Sequence, residues 1–272
     1  MNKDFNNIHL ISDSSGETVS GVVRACLVQY KQKKVKQHEW WLINNPKQME
    51  RVLDEIKRNP GMVVYTLIDP EMKKQLEAGC KRIGVLFVSI LDPVFNLMQS
   101  IFNEEGDHEV GRQHNLNAEY FERIKAIQFA MDYDDGQKIK DIDESDMVLV
   151  GVSRTSKTPT CMYLANRGYK VANIPLVPGQ EFPLNDLKET NTFFVGLLCD
   201  PKNLSDIRQN RLKLMNEDRG INYADMQFVK EEVVNSRKLF RKNKWPVIDV
   251  TRKSIEETAA SIIQLFNSRE NY

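Results

Sequence analysis

Short apolar runs alternate with amphipathic stretches along most of the chain. Ile8 to Ile11, Trp40 to Ile43, Met62 to Ile68 and Val85 to Ile90 have the length and composition of buried strands. Between them the spacing turns helical. One helix is predicted to begin near Glu17, where Ser14 and Glu17 have the spacing of a capping box. A second runs from Pro46 to Lys57 with Met49, Val52, Leu53 and Ile56 on one side, and a third from Pro70 to near Gly79. Asp92-Pro93 supplies a cap and an N1 proline for a fourth, which carries Val94, Leu97, Met98 and Ile101. Four consecutive βα units predict a parallel sheet with helices on both faces.

The pattern breaks between Asn103 and Asn117, a polar stretch of mixed charge that reads as a domain boundary. The expected division is residues 1–106 and 107–272. The second half opens with a helix, Ala118 to Met131, whose stripe of Tyr120, Phe121, Ile124, Ile127 and Met131 is expected to face a core. Strands follow at Met147 to Val150, Lys170 to Ile174, Thr192 to Leu198 and Val247 to Val250. Helices are predicted from Pro159 to Arg167, where Gly168 ends the run, and from Pro201. The closing helix is capped by Ser254 and Glu257 and turns Ile255, Ala259, Ile262 and Phe266 inward. The three prolines of PLVPGQEFP make a stiff extended loop near the sheet edge. The fold class is α/β: an amino-terminal parallel-sheet βα domain followed by a P-loop kinase-like α/β domain.

Composition narrows the partners. Lys+Arg and Asp+Glu both number 38, so the net charge is zero and neither nucleic acid nor an anionic membrane is indicated as a partner. The chain has no apolar run of membrane-spanning length. MNKDFNN is polar with no signal-peptide core after it, so the expected location is cytoplasmic. Cys26, Cys80, Cys161 and Cys199 form no CxxC pair and read as buried free thiols, not as disulfides or a zinc site.

The chemistry concentrates in DMVLVGVSRTSKT, Asp146 to Thr158. A β-branched strand, a loop opened by Gly151, then Lys157 and Thr158 at the start of a helix is the order of a phosphate-binding loop. Backbone N–H groups of Gly151, Val152, Ser153, Arg154, Thr155 and Ser156 would surround an anion, Lys157 would add a point charge, and Thr158 would hold Mg²⁺. Ser156 replaces the second glycine of the generic pattern, at a cost of roughly 1 kcal/mol if the site needs a positive φ. The plainer alternative is an ordinary βα turn with a lysine in it. Asp134 and Asp135, before Gly136, are either a solvated turn or a base or metal ligand. Asp200, at the end of a strand, either holds Mg²⁺ through water or caps the next helix. Arg208 and Arg211 share a helix face and are able to converge on an anion. Arg112, His108 and His114 lie in the boundary segment, Arg112 with the best claim to a phosphate. Ser12 to Gly16 is either a second anion-binding turn or a structural one.

ISDSSGETV at 11 to 19, YFERIKAI at 120 to 127, YDDG at 133 to 136 and GVSRTSKTP at 151 to 159 together resemble the pyruvate, phosphate dikinase regulatory proteins. YLANRGYKVANIPLVPG at 163 to 179 and WPVIDVTRKSIEETAA at 245 to 260 extend the resemblance over nearly the whole chain. It implies two activities. One is an ADP-dependent serine/threonine phosphotransferase that inactivates pyruvate, phosphate dikinase by phosphorylating an active-site threonine. The other is a phosphate-dependent pyrophosphorylase that removes the group with inorganic phosphate and releases pyrophosphate. A close branch acts on phosphoenolpyruvate synthase, and a homodimer is among the assemblies the resemblance allows. The chain has no HRD or DFG kinase set, so phosphoryl transfer is expected to run through the phosphate loop. On that reading Lys157 neutralises charge on the transferring group, Thr158 and Asp200 position Mg²⁺, and Asp134 or Asp135 serves the threonine hydroxyl. An ATP-dependent small-molecule kinase and a non-catalytic nucleotide sensor are the competing readings.

Overall fold

The structure is a computed structural model, and it describes residues 7–30, 34–107, 109–110, 118–136, 138, 142–180, 182–183, 192–215 and 223–269. The chain divides into two compact units, Met1–Asn115 and Leu116–Tyr272. Each is built on its own four-stranded parallel sheet, as the alternation of strand and helix predicts.

The first unit runs β1 (Asn7–Ser12), α1 (Glu17–Leu27), β2 (Lys36–Trp40), α2 (Pro46–Arg58), β3 (Met62–Thr66), α3 (Pro70–Ile83), β4 (Phe87–Ser89) and α4 (Asp92–Phe102). Its strand order is β2-β1-β3-β4. Alternate residues of β1 face opposite sides. Ile8 and Leu10 pack with Val19 and Val23 of α1, while Ile11 packs with Met49, Val52 and Ile56 of α2 and Leu76 of α3. Asn45 caps α2 by accepting from Gln48 N at 3.0 Å, and Asp69 caps α3.

Several expectations here need correction. The second strand is Lys36–Trp40, polar and at the sheet edge, not the apolar Trp40 to Ile43. The helix after β3 does not stop at Gly79. It continues to Ile83, because Gly79 is a contact point: a Cβ there would lie 2.3 Å from the Leu53 side chain of α2. Ser14 and Glu17 form no capping box, for the N-cap is Gly16 in the left-handed region without a side-chain cap. In the Ser12–Gly16 turn, Asp13 is buried and its Oδ2 accepts from Ile68 N at 2.6 Å and Asp69 N at 3.3 Å. The protein's own carboxylate thus ties the carboxyl ends of β1 and β3 together. Burial pushes the Asp13 pKa up against those hydrogen bonds. Cys26 is exposed, while the other three cysteines are buried and all four are free.

The second unit runs α5 (Ala118–Asp132), β5 (Met147–Val152), α6 (Lys157–Ala165), β6 (Val171–Leu176), β7 (Phe193–Leu198), α7 (Pro201–Met215), α8 (Met226–Lys242), β8 (Val247–Asp249) and α9 (Ile255–Ser268). Its order, β6-β5-β7-β8, repeats that of the first unit. Helix α6 packs between α5 and α9, whereas α7 packs on α8, which lies against β5 and β7. The apolar stripe predicted for α5 is not its core face. Phe121 and Met131 are more than half exposed, and the buried side is Ala126, Phe129 and Ala130. The Ser254–Glu257 capping box of α9 is present in full, with Ala259 and Ile262 buried. Helix α8 lies outside the sequence expectations altogether. Among the described residues no helix is long and apolar enough to cross a membrane.

Candidate functional site

Strand β5 is central, paired on one side with β6 and on the other with β7. From β5 the chain crosses to β6, while β7 leads on to β8, so connections diverge between β5 and β7. In open α/β sheets that switch point is where ligands bind, at the carboxyl ends of the strands. The residues there are the 153–158 loop and, after β7, Cys199 and Asp200. Gly151 is not the opening of the loop. It is still in the strand, opposite Pro175 of β6, and a Cβ on it would come within 2.8 Å of the Leu197 carbonyl oxygen of β7.

Beyond Val152 the backbone turns sharply. Arg154 (φ 75°) and Ser156 (φ 59°) both occupy the left-handed region, so the glycine-like position of the phosphate-loop pattern is filled by a strained serine. Ser156 is also the N-cap of α6, and its hydroxyl makes no cap hydrogen bond. The first turn of α6 therefore lacks the side-chain acceptor that most helix starts carry, a vacancy suited to an anion.

Lys157 lies under this turn, only 6% exposed. Its Nζ donates to Val152 O at 3.0 Å, and Thr155 Oγ1 donates to the same carbonyl at 2.9 Å. Burial lowers the Lys157 pKa to about 8, although the charges of Asp135 and Asp134 pull it upward. The sign of the consequence is definite. Below that value the ammonium is present in the free protein and attracts phosphate; above it the anion must bring a proton with it. If this lysine holds a nucleotide phosphate, ADP affinity should be nearly constant at neutral pH and fall as pH rises through about 8, approaching tenfold per unit. Calorimetric titration of wild type and Lys157→Met across that range checks this, and a slope of equal size in the variant would assign the effect elsewhere.

The two aspartates differ: Asp134 is half-buried and Asp135 exposed. Residues Asp134–Gly136 form a single 3-10 turn in which Asp135 has φ 51°. Asp134 Oδ1 accepts from Thr158 Oγ1 at 3.0 Å and from Asn173 Nδ2. The same Asn173 nitrogen lies 3.0 Å from Thr158 Oγ1 and 3.4 Å from Asp135 Oδ1. Asn173 N donates to Tyr133 O at 3.0 Å, pinning the turn onto β6. Asp134 is thus held at the head of α6, while Asp135 is exposed beside it. Sequence reasoning missed Asn173, although a buried amide inside the apolar run VANIPL is the kind of interruption that marks a site.

The remaining candidates divide. Asp200 Oδ1 caps α7, accepting from Lys202 N at 3.0 Å and Asn203 N at 3.1 Å. Arg208 and Arg211 do not converge on an anion. Arg208 is 1% exposed and donates to Ser153 O, Tyr223 O and Glu232 Oε2 at 3.1, 2.8 and 2.7 Å, whereas Arg211 is exposed. Arg208 therefore props the loop from beneath. Its guanidinium also stacks on the Tyr223 ring, and Tyr223 Oη meets Ser153 Oγ and Arg154 Nε, each at 3.2 Å. Burial would raise the Tyr223 pKa, but those two hydrogen bonds and the charges of Arg154 and Arg208 outweigh it and lower the value. No sequence signal marked Tyr223 or Glu232. Arg112, His108 and His114 lie outside the described residues.

Among the described residues no three His, Cys, Asp or Glu side chains are grouped to hold a metal. Magnesium that arrives on a nucleotide needs only one or two protein oxygens, since waters and phosphates supply the rest. The Thr158 hydroxyl beside the Asp134 carboxylate is a donor set of that kind.

Residues 8–263 match the model of the family described as kinase/pyrophosphorylase. Three curated relatives carry the name "Putative pyruvate, phosphate dikinase regulatory protein". The relative from Rhodospirillum rubrum is 48% identical over 97% of this chain and 96% of its own. That from Paramagnetospirillum magneticum is 50% identical over 97% and 85%. The Bradyrhizobium diazoefficiens protein is 47% identical over 98% and 96%. The loop, the buried lysine and the acid pair thus sit in a chain that belongs, over nearly its whole length, to the kinase/pyrophosphorylase family.

Proposed function

We propose that this enzyme regulates a pyruvate, phosphate dikinase, phosphorylating a threonine of that protein with ADP and removing the group with inorganic phosphate. The observation that carries this reading is the buried Lys157 ammonium under an uncapped helix start, with Asp134 and Asp135 beside it. The relatives' printed names supply the target. The four unpaired cysteines suit a cytoplasmic enzyme.

In the forward direction the loop amides from Ser153 to Thr158 hold the phosphates of ADP, and Lys157 neutralises charge on the β-phosphoryl. The threonine oxygen attacks the β-phosphorus, the bond to the α-phosphate oxygen breaks, and AMP leaves. The hydroxyl proton passes to Asp135, which is exposed and free to meet a protein substrate. Mg²⁺, held by Thr158 and through water by Asp200, would neutralise phosphate charge. In the reverse direction inorganic phosphate occupies the β-phosphate position and attacks phosphothreonine in line. Pyrophosphate forms and the threonine oxygen takes up a proton. One anion pocket serves both reactions.

The donor is the sharpest test. Incubated with purified dikinase, the protein should convert ADP to AMP as the target becomes phosphorylated, which nucleotide chromatography follows directly. Conversion of ATP to ADP in step with phosphorylation would favour a conventional kinase, and transfer to phosphoenolpyruvate synthase alone would move the target to the sister branch.

A further inference from the structure

Asn173 is the feature that phosphate binding by itself leaves without a role. It is 1% exposed, in the middle of an apolar strand, and its Oδ1 has no hydrogen-bond partner. Buried amides are normally satisfied at both ends. Here only the NH₂ is, and everything it touches is oxygen: Asp134 Oδ1, Asp135 Oδ1 and Thr158 Oγ1. A single donor group thus holds together three oxygens from two separate elements, the Asp134–Gly136 turn and α6.

We propose that Asp134, Thr158 and Asn173 form a divalent-cation site at the head of α6, in which Asn173 Nδ2 holds the oxygens together until the ion arrives. This rests on the phosphoryl-transfer reading above and names residues within that site. Three observations support it. The donor set is carboxylate, hydroxyl and amide oxygen, the hard ligands that Mg²⁺ and Mn²⁺ prefer. The spacing also fits: metal–oxygen distances of about 2.1 Å place neighbouring corners of an octahedron about 3.0 Å apart, and Asp134 Oδ1 and Thr158 Oγ1 stand 3.0 Å apart. Finally, turning the Asn173 amide over exchanges Nδ2 for Oδ1 without changing its shape. That turn brings the partnerless oxygen to face the ion. Asp200, whose Oδ1 caps α7, is then the outer partner and Asp134 the inner one.

Electron paramagnetic resonance of Mn²⁺ titrated into the full-length protein, with and without ADP, tests the site independently of turnover. Asp134→Asn and Asn173→Ala should each weaken Mn²⁺ binding about 10- to 100-fold. Asp200→Asn should weaken it much less. The decisive variant is Asn173→Asp. If Asn173 serves only as a hydrogen-bond donor, that change removes the donor, adds repulsion and harms binding as much as alanine does. If its oxygen is a ligand, the added carboxylate keeps or tightens Mn²⁺ binding. Loss of affinity in Asn173→Asp equal to that in Asn173→Ala would overturn the proposal, as would a larger effect at Asp200 than at Asp134. Mn²⁺ binding sensitive to residues 134 and 173 in a protein that transfers no phosphoryl from ADP would sink the proposed function while leaving the cation site standing. Active enzyme with Mn²⁺ binding indifferent to those residues would do the reverse.

Discussion

Lys157→Met should abolish both the ADP-dependent kinase and the phosphate-dependent reverse reaction, each by about 10³-fold or more. The reason is geometric: a single ammonium lies under the only turn among the described residues of the second unit that combines two left-handed residues with an uncapped helix start. Losing one positioned donor in an oxyanion site typically costs about 10²- to 10³-fold, and here the donor also carries a full charge. The variant should nevertheless fold. The Lys157 pKa is depressed to about 8, so the free protein bears a penalty for keeping that ammonium charged at neutral pH. From the shift of a 10.5 side chain to about 8, the penalty is roughly 3 kcal/mol. A depressed folded-state pKa means stability is lost as pH falls through about 8 and is fully recovered only above the unfolded value. Methionine removes the penalty, so unliganded Lys157→Met should melt higher than wild type near pH 7 and the gap should close in alkali. Calorimetry gives the melting temperatures and a coupled assay gives both rates. Survival of either activity near the wild-type rate would separate the two reactions into different pockets.

Asp135→Asn should slow the kinase by about 10²- to 10⁴-fold, the usual range for a positioned general base. Only the forward reaction takes a proton from a threonine hydroxyl; inorganic phosphate is already ionised. The reverse rate should therefore fall less. The structure sharpens the choice between the two acids. Asp134 Oδ1 is engaged by Thr158 and Asn173, whereas Asp135 is exposed, on a residue held at φ 51°, with one long contact of 3.4 Å to Asn173. Equal losses in both directions would give Asp135 a share of the metal. Unchanged rates would shift the search for the base to Asp200.

The second unit's centre was the most legible part of the chain. Strand β5, the turn and α6 follow from an apolar run ending in a loop with Lys and Thr, and the closing helix from Ser254 and Glu257. What resisted reading is what depends on neighbours. Strand β2 is polar because it is an edge with one partner, so the apolar WWLI beside it drew the assignment away. The stripe on α5 has helical period but points outward, since periodicity states that two faces differ and not which one is covered. Asp134, Thr158 and Asn173 are far apart in sequence and meet only because β6 lies beside β5. Arg208 reads as a ligand on a helical wheel, yet its burial beneath Ser153 makes it a structural prop.

The strand order carries a consequence for how the chain is made. In each unit the strand synthesised first is an interior strand: β1 lies between β2 and β3, and β5 between β6 and β7. Neither can close a ladder until later segments emerge and cross over in parallel, which is intrinsically slow pairing. During translation β1, and afterwards β5, must therefore wait with both edges bare. Because every strand of the described residues pairs within its own unit, the first can complete its sheet before the second has begun. The exposure comes in two short episodes, the second at the fully apolar MVLVGV strand beneath the lysine.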